Sequence, residues 1–231
     1  MELPPDGSPA VTRTPAASSA RAAVWVTAAC LILLALLGAG VKSDFGPQLR
    51  LDAAVSEEVY VGDRRAGALN GVLEVLTAPG SWWVRALVLL PALVYLLRRR
   101  LWWTAGWVAT AAVLVGPLTT GLKEYFGRIR PPFEEGGARY DSLSFPSGHA
   151  SGIATLVTVA LVLTWPLLSS RARAWSLTAG VVLVVTVGLT RMWLGVHYLS
   201  DVVGGWSFGV AWTLGTALLF GALSGGRAAL R

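Results

Sequence analysis

Charge is scarce in this chain. Only 14% of its 231 residues are Asp, Glu, Lys or Arg, where a soluble domain carries roughly 25%, and 54% are hydrophobic. The apolar residues fall in long blocks, which excludes a soluble domain and points to an integral membrane protein of one domain. Cysteine is nearly absent. Cys30 is the only one, so an intrachain disulfide and any multi-cysteine metal site are ruled out. The two histidines, His149 and His197, are too few for a histidine-rich metal site, and neither a metal nor another cofactor is expected. A basic stripe across a polar domain is missing too. The formal net charge is +6, but the arginines stand at the ends of apolar runs, so nucleic acid is not an expected partner. Neither strand-like alternation nor the period of a repeat family is present.

What is present is a series of apolar runs. Residues 1–20, rich in Pro, Ala, Ser and Thr, read as a disordered N-terminal tail. Residues 22–41 are an uncharged run that as a helix reaches about 30 Å, one bilayer. A signal peptide has a shorter apolar region, about 7–15 residues, so a retained anchor is expected. Residues 42–66 are too polar to span and read as a loop with a short surface helix, continued by Ala68–Thr77 as an amphipathic interfacial piece. Pro79-Gly80 punctuates the chain. Further spans are expected over 81–97, 101–122, 150–168, 174–190 and 202–224. The fold class is therefore all-α, a bundle of six transmembrane helices. Its single domain covers 21–226, and a short C-terminal tail covers 227–231.

Counting Lys and Arg in short loops sets the expected orientation. Arg98-Arg99-Arg100, Arg171 with Arg173, the C-terminus and the N-terminal tail all fall on one side, which reads as cytoplasmic. Segments 42–80, 123–146 and 190–201 then face outward. The 123–146 segment carries Lys123, Arg128, Arg130 and Arg139 on the disfavoured side. These charges are expected to have a local partner, and an anionic ligand would supply one.

Three stretches carry chemistry. Nothing charged lies between Trp175 and Thr190, or between Val202 and Gly226, yet Arg191, His197 and Asp201 sit between those runs. Charge at the edge of a hydrocarbon layer marks a functional candidate by default. The alternative is that Arg191 snorkels and Asp201 caps the next helix. A helical turn would put His197 and Asp201 on one face, where the carboxylate fixes the imidazole tautomer and leaves the other nitrogen free to attack. In the second stretch, Lys123 and Arg130 are two helical turns apart and share a face if the helix continues that far, before Pro131-Pro132 stops it. Arginine as a bidentate fork and lysine as a point charge suit a phosphate. Snorkelling at a helix end is the competing reading. The third stretch is Pro146-Ser147-Gly148-His149, opening an apolar run. Capping explains Pro146 and Ser147. It does not explain Gly148-His149, which suits an anion held at a helix start with an imidazole beside it. All three stretches fall on the same expected outward face, at the extracytoplasmic membrane surface.

These residues resemble the type 2 phosphatidic acid phosphatase superfamily. Lys123 to Arg130-Pro131 matches its K-x6-R-P motif, Pro146-Ser147-Gly148-His149 its P-S-G-H motif, and Arg191, His197 and Asp201 its S-R-x5-H-x3-D motif. Thr190 stands where the family usually has serine and keeps the hydroxyl for a bond to phosphate or backbone. The match covers 123–201; residues 1–80 carry no family motif. The resemblance implies a metal-independent phosphatase of the membrane-bound branch, acting through a phosphohistidine. It implies His197 as nucleophile, Asp201 as its orienting carboxylate and His149 as the acid that protonates the leaving oxygen and then activates water. Lys123, Arg130, Arg191, Ser147 and the Gly148 N–H would hold the phosphoryl oxygens. Neutral His197 and cationic His149 together predict a bell-shaped pH dependence of turnover.

The expected partners are the bilayer and a lipid phosphate. Undecaprenyl pyrophosphate, phosphatidylglycerophosphate and phosphatidic acid are equal candidates, and nothing in the sequence sets an oligomeric state. A lipid-linked phosphotransferase of the same superfamily would use the same residues. A non-catalytic lipid-binding or transport protein should have lost one of the histidines, and both are present.

Overall fold

The computed structural model describes residues 15–230; the expected tail over residues 1–14 lies outside the described residues. Among the described residues eight α-helices follow one another: α1 Pro15–Lys42, α2 Gly46–Val59, α3 Gly67–Thr77, α4 Trp82–Arg98, α5 Trp102–Phe126, α6 Gly148–Thr164, α7 Ser170–Trp193 and α8 Leu199–Phe220. Strands are absent among the described residues. Helix α1 takes in part of the segment expected to be a tail.

Helices α1, α5, α7 and α8, and α6 together with the 3-10 turn Trp165–Leu167 that continues it, are each long and apolar enough to cross a bilayer. The second expected span, 81–97, appears as α4, whose 17 residues reach only about 25 Å. It joins α3 through a 3-10 turn at Ala78–Gly80, and the pair, bent by 45° at the break, makes a sixth candidate span when the two helices are taken together. Proline and glycine at the turn explain the break, since Pro79 removes a donor and Gly80 packs against α6 with no room for a side chain. The exposed side chains of α7, such as Leu177, Val181, Val182 and Val185, face where lipid would be. Exposed Trp82, Trp83, Trp102 and Trp103 stand at helix ends, the depth at which aromatic rings favour a membrane–water boundary.

The centre of the bundle is α8 against α6. Lipid is as apolar as leucine, so association in a bilayer depends on close packing of small residues. Here a Cβ on Gly205 would lie 2.6 Å from the Ser147 carbonyl oxygen and 2.8 Å from the Ala150 Cβ, and one on Gly209 would run into the Ser151 carbonyl. The two backbones therefore touch. Ser147 N donates to the Asp201 carbonyl at 2.9 Å, which pins the first turns of both helices side by side. Deeper in the bundle, Trp107 of α5 is fully buried and its Nε1 donates to the Thr213 carbonyl.

Two expected surface pieces turn out to be structural. Helix α2 buries Asp52 and Ser56. Beyond α8, Gly221 adopts a left-handed conformation (φ 68°), the chain folds back, and the Ala228 carbonyl accepts from Thr104 Oγ1 at 2.7 Å. Within the expected C-terminal tail, Ala228 thus packs on α5.

Candidate active site

The first motif does not reach its second cation by a helix. Helix α5 ends at Phe126, where Gly127 takes a left-handed conformation (φ 69°) and its N–H closes on the Lys123 carbonyl. Lys123 is therefore on the helix and Arg130 on the extended strap after it, so the shared helical face is not what aligns them. Lys123 Nζ donates to the Leu143 carbonyl at 2.6 Å. Arg130 is held by the same loop, with Nε on the Ser142 carbonyl at 2.7 Å and Nη2 on the Ser142 hydroxyl at 3.0 Å.

Arg130 Nη1 lies 3.1 Å from His197 Nε2, and it also donates to the Val196 carbonyl at 2.7 Å. Guanidinium can only donate, so Nε2 carries the lone pair and Nδ1 the proton. On the other side of the ring, Nδ1 is 3.3 Å from Asp201 Oδ2. The tautomer is the one expected for an attacking Nε2. His197 precedes α8 rather than lying within it, and Asp201 also accepts from Tyr198 N at 2.9 Å. Capping and orienting are thus served by one carboxylate. Burial, then the positive charges of Arg130, Lys123 and Arg191, push the His197 imidazole well below its ordinary value of 6.5; the resting ring is neutral.

Sequence reasoning missed the layer behind this pair. Ser144 Oγ donates to Asp201 Oδ2. Arg128 Nη1 donates to Asp201 Oδ1 at 2.9 Å and Nη2 to Asp52 Oδ2 at 2.7 Å. Asp52 in turn receives Ser200 N at 2.9 Å and Ser200 Oγ at 2.6 Å. The guanidinium of Arg128 lies 4.2 Å from the Tyr198 ring centroid. Burial alone would lower the Arg128 proton affinity, but Asp201 and Asp52 outweigh it and hold the charge on. The basic side chains of the 123–146 segment, expected to need a local partner, find protein carboxylates for two of their number. Arg128 has two protein carboxylates, and Arg139 pairs with Glu135. The charge of Arg128 was legible in the sequence. Asp52 gave no signal beyond being a carboxylate on a short helix.

Arg191 does not snorkel. It is 5% exposed, its Nη1 donates to Thr77 Oγ1 at 3.2 Å, and its Nε is buried without a hydrogen-bond partner. Burial and the neighbouring charge of Arg191 both lower the Arg130 proton affinity. Like charges crowded this way, beside a buried donor with no partner, suit the binding of an anion. Thr190 Oγ1 donates to the Val187 carbonyl at 2.7 Å, so the hydroxyl keeps a backbone bond.

Lys123, Gly148 and His149 line a cleft of about 710 Å³, with Ser142, Thr119 and Arg85 also on its wall. The His149 ring makes no hydrogen bond among the described residues and is free to meet a ligand. Ser147 is placed differently. It is fully buried, and its hydroxyl accepts from Ala150 N at 3.5 Å as the cap of α6. Among the described residues no group of three or more His, Cys, Asp or Glu could hold a metal ion.

These features define a class: membrane-spanning helical bundles with a buried histidine–aspartate pair among basic side chains at one end. The family model described as the PAP2 superfamily matches residues 100–224, and the chain belongs to that superfamily. Phosphatidylglycerophosphatase B of Bacillus subtilis is 41% identical over 92 residues, 38% of this chain and 44% of that protein. Decaprenylphosphoryl-5-phosphoribose phosphatase of Mycobacterium tuberculosis is 38% identical over 126 residues, 53% of this chain and 63% of its own length. The chain thus spans about half the length of these curated relatives. The crystal structure described as the first transmembrane PAP2 type phosphatidylglycerolphosphate phosphatase from Bacillus subtilis superposes with a TM-score of 0.67 at 26% identity. It covers 83% of this chain and 94% of that one.

Proposed function

We propose that this protein is a metal-independent membrane phosphatase. In this reading it hydrolyses lipid phosphate or pyrophosphate monoesters through a phosphohistidine on His197. The observation that carries it is the position of the His197 ring, Nδ1 toward Asp201 and Nε2 against Arg130 at 3.1 Å, beside a cleft lined by Lys123 and His149. The named relatives act on phosphatidylglycerophosphate-type and isoprenoid-linked lipids by their names, which supports a lipid substrate.

A phosphoryl group entering the cleft draws Arg130 onto its oxygens and frees Nε2. Nε2 bonds to phosphorus as the bond from phosphorus to the lipid oxygen breaks, and His149 gives that oxygen its proton. Water then attacks the phosphohistidine, His149 takes back a proton, and inorganic phosphate leaves with His197 neutral again. Lys123, Arg130 and Arg191 supply the positive charge that the loose transition state needs, fixed before the substrate arrives. Asp201, held by Ser144 and Arg128, meets the charge that develops on the imidazole. The site is proposed to open at the extracytoplasmic surface, with both termini cytoplasmic.

The test is phosphate release from a panel of lipid phosphates and pyrophosphates in detergent with chelator present, for wild type and His197→Ala. Release by the wild type and none by the variant is expected. Strict dependence on a divalent ion, or a variant as active as the wild type, overturns the reading.

A further inference from the structure

Arg85 belongs to none of the three motifs. It stands in the first turn of α4, within the bent α3–α4 crossing, and is only 7% exposed. A buried charge at this depth costs free energy unless something answers it. Its Nε donates to the Ala112 carbonyl at 3.2 Å. Among the described residues its two terminal amino groups have no hydrogen-bond acceptor and no carboxylate is paired with it.

The surroundings are built to hold the guanidinium there. A Cβ on Gly152 would lie 2.5 Å from Arg85 Nη1, so the bare backbone of α6 leaves its place open. Gly152 follows His149 by three residues, the same helix face one turn on. Gly80, just before α4, packs on His149 itself, since a Cβ there would lie 2.8 Å from the His149 carbonyl oxygen. Arg85 also stands where two spaces meet. It lines the cleft that holds His149 and Lys123, and it lines an apolar groove of about 410 Å³ between α4 and α5, walled by Leu89, Leu93, Val108 and Val113. A substrate whose scissile phosphate sits at Lys123 and His149 and whose chain leaves along the groove must pass the Arg85 fork.

We propose that Arg85 binds a second phosphate on the lipid side of the scissile bond, which makes this site selective for lipid diphosphates over lipid monophosphates. In a diphosphate the leaving group is the lipid monophosphate, whose charge grows as the phosphorus–oxygen bond breaks. Two charged donors held beside it stabilise the transition state more than the ground state. A monophosphate lipid leaves as an alcohol and gives Arg85 nothing to hold. This inference rests on the phosphatase reading above.

The experiment compares phosphate release from farnesyl diphosphate, phosphatidylglycerophosphate and phosphatidic acid by wild type, Arg85→Met and Arg85→Lys. The diphosphate kcat/KM should fall about 10- to 100-fold in Arg85→Met, the size of a lost charged hydrogen bond, and recover in part in Arg85→Lys. Phosphatidic acid turnover should change less than about threefold. Phosphatidylglycerophosphate, whose second phosphate is a glycerol away, should track phosphatidic acid. Equal losses on all three substrates, or no loss on the diphosphate, overturn the assignment while leaving the phosphatase intact. A wild type that releases phosphate from none of them removes the phosphatase reading instead.

Discussion

Asp52 lies 148 residues before Ser200 in sequence and touches no expected substrate atom, yet its replacement should be felt at His197, the proposed nucleophile. Its carboxylate receives three donors, Arg128 Nη2, Ser200 N and Ser200 Oγ, at 2.6–2.9 Å in a site 2% exposed. In Asp52→Asn the amide oxygen can serve only one side of that fork, and the amide N–H2 faces a donor on the other. A buried donor left unsatisfied costs about 1–3 kcal/mol. In a chain of this length that lowers Tm by about 3–10 °C. Arg128, relieved of one carboxylate, draws more strongly on Asp201 and weakens its hold on His197. If the same 1–3 kcal/mol appears in the transition state, turnover falls about 5- to 100-fold. Thermal scanning of the detergent-solubilised protein and phosphate release from its preferred lipid measure both effects. Glu57→Gln, exposed on the same helix, is the control and should match the wild type. An Asp52→Asn protein with wild-type Tm and turnover would refute the idea that α2 braces the His197–Asp201 pair.

Three further outcomes follow. Because the folded His197 imidazole titrates well below 6.5, the native state binds fewer protons than the unfolded chain between that lowered value and about 6.5. Stability therefore rises with pH across this window and drains away as pH falls below 6.5. Thermal scans at acid and neutral pH should show a smaller acid loss in His197→Asn than in wild type; an equal loss contradicts it. The acid limb of the bell-shaped turnover profile should lie below 6.5 for the same reason, and a flat profile from about pH 5 to 9 counts against the two-histidine roles. Gly209→Ala drives a methyl into the Ser151 carbonyl and to 2.8 Å from the Ala154 Cβ. Overpacking of this kind costs about 1–3 kcal/mol, so Tm should drop by several degrees, and an unchanged Tm would mean that α6 and α8 are not wedged together as described.

The spans were readable because a bilayer demands long uncharged runs, and the three motifs because each is short and local. What was not readable depends on approach between distant segments. The seven-residue spacing puts Lys123 and Arg130 on a common face only if the helix continues to Arg130, but Gly127 ends α5 between them, and the loop at Ser142–Leu143 aligns the two instead. Residues 42–80 carry no motif, yet Asp52 meets Arg128 across 76 positions and Thr77 meets Arg191 across 114. No periodicity or spacing reports contacts at that separation. Ser147 illustrates the opposite case: its capping role is visible in the sequence, and the structure uses its hydroxyl there.

The contact between Arg130 and His197 has one more consequence. On the phosphatase reading, the cation proposed to hold phosphate rests on the lone pair proposed to attack phosphorus. Such a contact would shield the nitrogen from stray electrophiles until a group with enough negative charge lured the guanidinium aside. Recognition and activation would then be a single event, performed by one side chain changing allegiance.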